Sequence, residues 1–252
     1  EIYMGDWSSD VCSSDLYLDE STALEEVKKG NLDLYYSRLP SDLIQSQESL
    51  QNLQVFYTTG GSYSILVNPA EGDKFNPFSH QKIRFALNYL VDRKLVVDEL
   101  MGGYGVAMIS NYGPFDPDYL FIVDDLERFH FRYNPELANQ IISDALREAG
   151  AEKIDNKWFY DQAPIEITIF IRNDDPVRKS IGEVIASELE RVGFVVKKDF
   201  GDLNKAFVVV YGSDPAELKW SMYTEGYAGR SAFVRYAIWR SEERRVGKEC
   251  RS

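Results

Sequence analysis

KIRFALNYLVDRKLVVDELMGG, residues 82–103, carries two helical signals in succession. Ile83, Ala86, Leu87, Leu90 and Val91 recur at the spacing of one helical face. Asp92 follows, placed to cap a second, shorter helix because its carboxylate accepts free backbone N–H groups of the next turn. Gly102 and Gly103 end that helix, since glycine enters the positive-φ conformation of a helix stop without steric cost. On pattern alone this is a buried helix pair.

Working outward, Asp19 to Lys29 reads as a short helix with Ala23, Leu24 and Val27 inward and Gly30 as its stop. Leu32 to Tyr36 alternates as a strand, and Asp33 within it reads as a loop or edge carboxylate. A polar stretch from Pro40 to Gln51 suggests a loop and a helix. Leu53 to Thr58 is β-rich, and Gly60-Gly61 marks a turn before a strand over Ser62 to Asn68. Residues 105–129 are rich in Pro, Gly, Asp and aromatic side chains and predict an irregular segment. Asn134 then caps a helix with Pro135 at its first position, Ala138, Ile141, Ile142, Ala145 and Leu146 on its apolar face, and Gly150 at its end. An aromatic turn with Trp158 and Tyr160 leads to a strand over Ile165–Ile171. The next helix runs from Pro176 to Val192, with Ser180 and Glu183 at capping-box spacing. Gly193 stops it before a strand over Phe194–Lys198. Strand, helix and strand in this order predict a right-handed parallel βαβ unit. Ala206 to Tyr211 reads as a last apolar strand.

Both ends read as foreign. Arg240 to Ser252, RSEERRVGKECRS, and Asp6 to Leu16, DWSSDVCSSDL, reverse-translate in frame into the two partner adapters of a short-read sequencing library. Residues 1–16 and 240–252 are therefore set aside as non-native. They hold both cysteines, Cys12 and Cys250, so no disulfide framework, zinc knuckle or thiol nucleophile is expected. The net charge of the whole chain is −13; removing five Lys/Arg and seven Asp/Glu with the ends leaves 23 against 34, a net of −11. So acidic a chain is a poor partner for phosphate backbones, and nucleic-acid binding is not expected. No apolar run is long enough to span a membrane.

Catalytic patterns are missing too. His80 and His130 stand apart, outside any metal-ligand spacing, and read as surface or packing histidines. Gly102-Gly103-Tyr104-Gly105 lacks the strand before and the helix after that a phosphate loop needs. No GxSxG elbow is present. The pairs Asp124-Asp125 and Asp174-Asp175 are the one arrangement with acid–base potential, as in glycoside hydrolysis, but adjacent carboxylates in a loop usually point apart.

The wording of residues 82–103 is more specific than its periodicity. Arg84, Ala86, Leu87, Tyr89, Leu90, Val91, Asp92 and Arg93, then Val96, Val97, Asp98 and Gly102, resemble a signature phrase of the family 5 solute-binding proteins, the dipeptide, oligopeptide and nickel receptors of ABC importers. Further phrases resemble that family in its order: STALEEVKKGNLDLYYSRLP, TGGSYSILVN, YNPELANQIISDALREAGAEK and RKSIGEVIASELERVGFVVK. The resemblance implies an α/β chain, part of a two-lobed periplasmic-binding-protein-like fold of type II in its extended, peptide-binding subclass. Residues 17–65 would form the end of lobe I and a crossing strand, 66–212 lobe II, and 213–239 a cleft segment returning toward lobe I. It implies a receptor, not an enzyme, without cofactor or metal. Its partners would be a peptide or small-molecule solute and the permease subunits. The protein would be a monomer outside the cell or in the periplasm, tied to the membrane by an anchor absent from this stretch.

Ligand contacts carried over from the family fall on Ser62 and Tyr63 in the crossing strand, on Tyr227, and on Tyr36 and Arg230. Tyr63 also reads as an interdomain packing residue. WSMYTEGYAG, residues 220–229, departs from the family phrase: Tyr227 replaces a tryptophan, and Arg230 lies near an expected aspartate. An arginine there would favour a carboxylate-bearing solute, because a guanidinium fork matches a carboxylate, although Arg230 also reads as a surface ion-pairing residue. A sensor domain on the same fold and a carbohydrate-active enzyme using the paired carboxylates are the alternatives.

Overall fold

The computed structural model describes residues 20–35, 53–56, 61–110, 112–114 and 117–228. The chain divides into two compact units, Glu1–Tyr57 and Thr58–Ser252.

In the first unit, helix α1 (Glu20–Lys28) buries Ala23 and Leu24, as its spacing requires. Gly30 ends it at φ 76°. The strand expected over 32–36 does not form in its described part; residues 31–35 are bends and coil, and Leu34 is exposed. The backbone N–H groups of Asn31 and Leu32 both donate to the Glu26 carbonyl, so the start of that stretch is spent on closing the helix. Residues 53–56 likewise form no strand.

The second unit is built on a four-stranded sheet ordered β1-β7-β5-β6. Its strands are β1 (Gly61–Val67), β5 (Glu166–Arg172), β6 (Val195–Gly201) and β7 (Met222–Ala228). β5 runs parallel to both β6 and β7, and β1 pairs antiparallel with β7. A separate three-stranded meander of β2 (Glu152–Ile154), β3 (Lys157–Tyr160) and β4 (Ala163–Pro164) occupies the expected aromatic turn. Its two turns, Asp155-Asn156 and Asp161-Gln162, hold both central residues at positive φ, the geometry that matches strand twist in two-residue hairpins.

Residues 82–103 form helix α2 (Gln81–Leu90) and then α3 (Arg93–Leu95), which widens into a π-helical turn over Val96–Leu100. Asp92 caps α3 by accepting from the Leu95 N–H at 3.0 Å, and Gly102 and Gly103 stand at φ 62° and 82°. The two arginines of the phrase act as staples. Arg84 donates to the carbonyls of Phe78 and Ser79 at 2.6 and 2.8 Å. Arg93 ties Asn88 to the Met108 carbonyl, and burial lowers its pKa. A short helix, α4 (Val123–Glu127), interrupts the irregular segment. Helix α5 (Pro135–Glu148) is capped by Asn134, packs against α2 and buries Ala138, Ile142, Ala145 and Leu146.

Helix α6 (Pro176–Val192) joins β5 to β6 and makes the parallel βαβ unit expected from the sequence. Its cap is Asp175, whose carboxylate accepts from the N–H groups of Val177 and Arg178. The Ser180–Glu183 spacing is not a capping box: Ser180 lies one turn inside, donating to the Pro176 carbonyl. The largest hydrophobic cluster lies between one face of the sheet and helices α2, α5 and α6.

The expected strand over 206–211 is helical instead. Asp202 accepts from the Lys205 N–H and starts α7 (Leu203–Ala206), which continues as a π-helical turn over Phe207–Tyr211. The place beside β5 that such a strand needs is taken by β7. Val210 turns inward with Phe170, Trp220 and Tyr223 to form a smaller cluster on the opposite sheet face.

Candidate functional site at the carboxyl edge of the sheet

From β5 the chain moves to β6 on one side and later returns to β7 on the other. In open α/β sheets such a reversal opens a crevice outside the carboxyl ends of the strands, where ligands bind. In this chain the reversal gathers charged and phenolic groups. Arg172, the last residue of β5, grips Asp174 with two bonds of 2.6 and 2.7 Å and donates to the Tyr223 hydroxyl at 3.3 Å. The Tyr223 ring meets that of Tyr211 edge-on at 5.9 Å. Tyr211 in turn donates through its hydroxyl to Glu225, whose other oxygen accepts the Gly226 N–H at 2.9 Å. Arg172 and Glu225 are both buried.

The bond to Asp174 raises the Arg172 pKa, and the same bond holds the Asp174 carboxyl below its ordinary value. Burial, with the Glu225 carboxylate beside it, pushes the Tyr211 hydroxyl well up.

Strand register brings three of the expected contact residues together and then separates them. Ser62 lies opposite Tyr227, and Tyr63 opposite Gly226. Successive side chains on a strand point to opposite faces. Ser62 and Tyr227 therefore share the face of Tyr223 and Glu225, and both are half-buried. Tyr63 joins the helix-covered face, where its hydroxyl donates to Asp175 at 3.3 Å. The Arg178 guanidinium stands 6.0 Å over the Tyr63 ring and 3.4 Å from Asp175. A Cβ at residue 226 would fall 2.4 Å from an Arg178 nitrogen, so any larger residue there would displace the guanidinium. Tyr36 and Arg230 lie outside the described residues.

Three of the four carboxylates with acid–base potential are engaged in structure. Asp174 is held by Arg172, Asp175 caps α6, and Asp125, in the first turn of α4, pairs with Arg128 at that helix's C-cap. Among the described residues no group of His, Cys, Asp and Glu is arranged to hold a metal ion, and no helix is long and apolar enough to cross a membrane. Sequence reasoning missed Arg172, Tyr211, Tyr223, Glu225 and the Arg178–Gly226 contact. One signal was present: in MYTEGYA a glutamate occupies an inward position between two tyrosines at strand spacing.

Solved periplasmic binding proteins share this mixed α/β fold. The periplasmic oligopeptide-binding protein of an oligopeptide ABC transporter from Thermotoga maritima matches with a TM-score of 0.67 at 21% identity, over 86% of this chain and 40% of that one. Its mannohexaose-bound form matches at 0.64 and 20% identity over the same shares. The chain belongs to the bacterial extracellular solute-binding proteins, family 5 Middle, whose family model matches residues 15–241. Oligopeptide-binding protein AppA of Bacillus subtilis (strain 168) is 23% identical over 180 residues, 71% of this chain and 31% of its own length. Heme-binding protein A of Haemophilus influenzae is 29% identical over 175 residues, 69% of this chain and 28% of its own. The chain thus spans about a third of the length of the curated relatives it matches. The family is one of extracellular solute-binding proteins, which act by binding and not by turnover.

Proposed function

We propose that the protein containing this chain is the substrate-binding component of an ABC importer. It captures a peptide-like or other small polar solute outside the cell or in the periplasm and delivers it to the permease. The observation that carries this reading is the match to the family model across residues 15–241. Support comes from the polar carboxyl edge, where Ser62 and Tyr227 flank a buried charged network. In this reading β1 and β7 run between the lobes, and hinge closure buries the solute and creates the form the permease recognises. Ser62 and Tyr227 contact the solute on one sheet face and Tyr63 at the rim of the other; Tyr36 and Arg230 complete the set. An anchor elsewhere in the protein holds it at the membrane, and it works as a monomer.

Relatives bear names or ligands of different chemistry, an oligopeptide, a heme and a mannohexaose, so the test must span classes. Calorimetric titration of the full-length protein with tripeptides, oligosaccharides and a nickel–histidine chelate should give saturable binding to one class, with the solute recovered unchanged. Absence of binding to all of them, or chemical conversion of the solute, would overturn the assignment.

A further inference from the structure

Two buried asparagines hold one end of the β1–β7 strand pair. Asn68 directly follows β1 and is 1% exposed. Its side-chain amide donates to the carbonyls of Pro215 and Trp220 at 2.9 and 3.0 Å, and its Oδ1 accepts from the Ala70 N–H at 3.0 Å. Its backbone N–H donates to the Ser221 carbonyl at 2.9 Å, and its own carbonyl accepts from the buried Asn76 amide at the same distance. Asn76 also donates to the Ala70 carbonyl and accepts the Phe78 N–H, shortly before α2 begins. Ser221 continues the stitching to β5: its N–H donates to the Thr168 carbonyl and its hydroxyl accepts from the Thr168 N–H. The opposite end of the pair is held differently. β5 pairs with β7 at Met222 and Tyr223, so residues 226–228 have β1 as their only partner strand among the described residues. Ser62 and Tyr227 stand at that end.

We propose that Asn68 is a positioning residue of the binding site: it fixes the register of β1 on β7, and the register decides which side chains meet the solute. This rests on the solute-binding reading. Side chains alternate along a strand, so a slip of one residue would turn Tyr63 onto the face of Tyr227 and Ser62 onto the helix-covered face. A buried polar group left without its partner bears its full desolvation cost, so every other register is penalised at the Asn68 end. The far end, with the contact residues, follows.

Amide hydrogen exchange and calorimetry on the full-length protein test this. Asn68→Asp keeps the size of the side chain but sets a carboxylate against two carbonyls. Exchange at residues 61–63 and 226–228 should quicken by about tenfold or more relative to α5, because opening there separates from global unfolding. Trialanine, maltotriose and a nickel–histidine chelate are the probes. Affinity for the one that binds should fall about tenfold, as expected when only about a tenth of the molecules keep the competent register. Ile142→Val, in the core between α5 and α2, is the control: it should lower the thermal midpoint and leave affinity unchanged. If Asn68→Asp fails to fold, Asn76→Asp, which gives up donation to the Asn68 and Ala70 carbonyls, should show the same pattern more weakly. Uniform quickening across the protein would mark these asparagines as merely structural and overturn the proposal. So would affinity that holds in the asparagine variants or falls equally in Ile142→Val. No binding of any probe by the unaltered protein would contradict the solute-binding reading itself, and the positioning role would fall with it.

Discussion

Arg172 and Asp174 show how a charge pair at the end of a strand feeds both stability and site geometry. Two bonds fix the guanidinium plane, which then presents a third N–H to Tyr223. The Asp174 carboxyl is held below its ordinary value by that contact, so its contribution is present above the unfolded aspartate pKa, about 3.9, and is lost as pH falls through the lower folded value. The side chain of Asp174 is 38% exposed, so solvent weakens the pair. Asp174→Asn should therefore cost about 1 kcal/mol at neutral pH, by urea denaturation. The difference from the unaltered protein should shrink as pH is lowered below about 4. A difference that persists unchanged in acid would mean that the charge of Asp174 is not what stabilises this corner.

At the scale of elements, the contact between β7 and α6 packs Gly226 and Tyr63 against Arg178. The Arg178 guanidinium occupies the place of a side chain at residue 226. It can leave only by giving up Asp175 and the Tyr63 ring. Because the guanidinium is the movable end of a side chain, Gly226→Ala should cost only about 1 kcal/mol, the low end for overpacking, and Arg178→Ala in the same chain should recover part of the loss. An additive double variant would contradict the contact.

Sequence reading succeeded where a local signal sufficed. Asp92 and Asn134 were legible as caps because each precedes an apolar repeat of helical period, and Gly30, Gly150 and Gly193 were legible as stops. The cap of α6 was misread: Ser180 and Glu183 offered capping-box spacing, whereas Asp175, just before Pro176, is the cap. The failures concern pairing. Phe207 to Tyr211 is apolar and β-branched, but no place beside β5 remains for it and Asp202 has already started a helix. Met222 to Ala228 was read only as part of a cleft segment, with no secondary structure assigned; its neighbours β1 and β5 make it a strand. The polar network was invisible for the same reason, since Arg172, Tyr211 and Glu225 meet only through the sheet.

At the scale of the molecule, the chain supplies a sheet whose open edge carries a net negative cluster, within a family that works by capturing solutes. The most direct check on that account is hydroxyl-radical footprinting of the full-length protein with and without the solute that binds best. Tyr227 is half-buried and should lose oxidation when solute is present, whereas Phe129, exposed in an aromatic cluster with Phe85 and Phe131, should keep its own. Unchanged oxidation of Tyr227 at saturating solute would contradict a binding site at the carboxyl edge of this sheet.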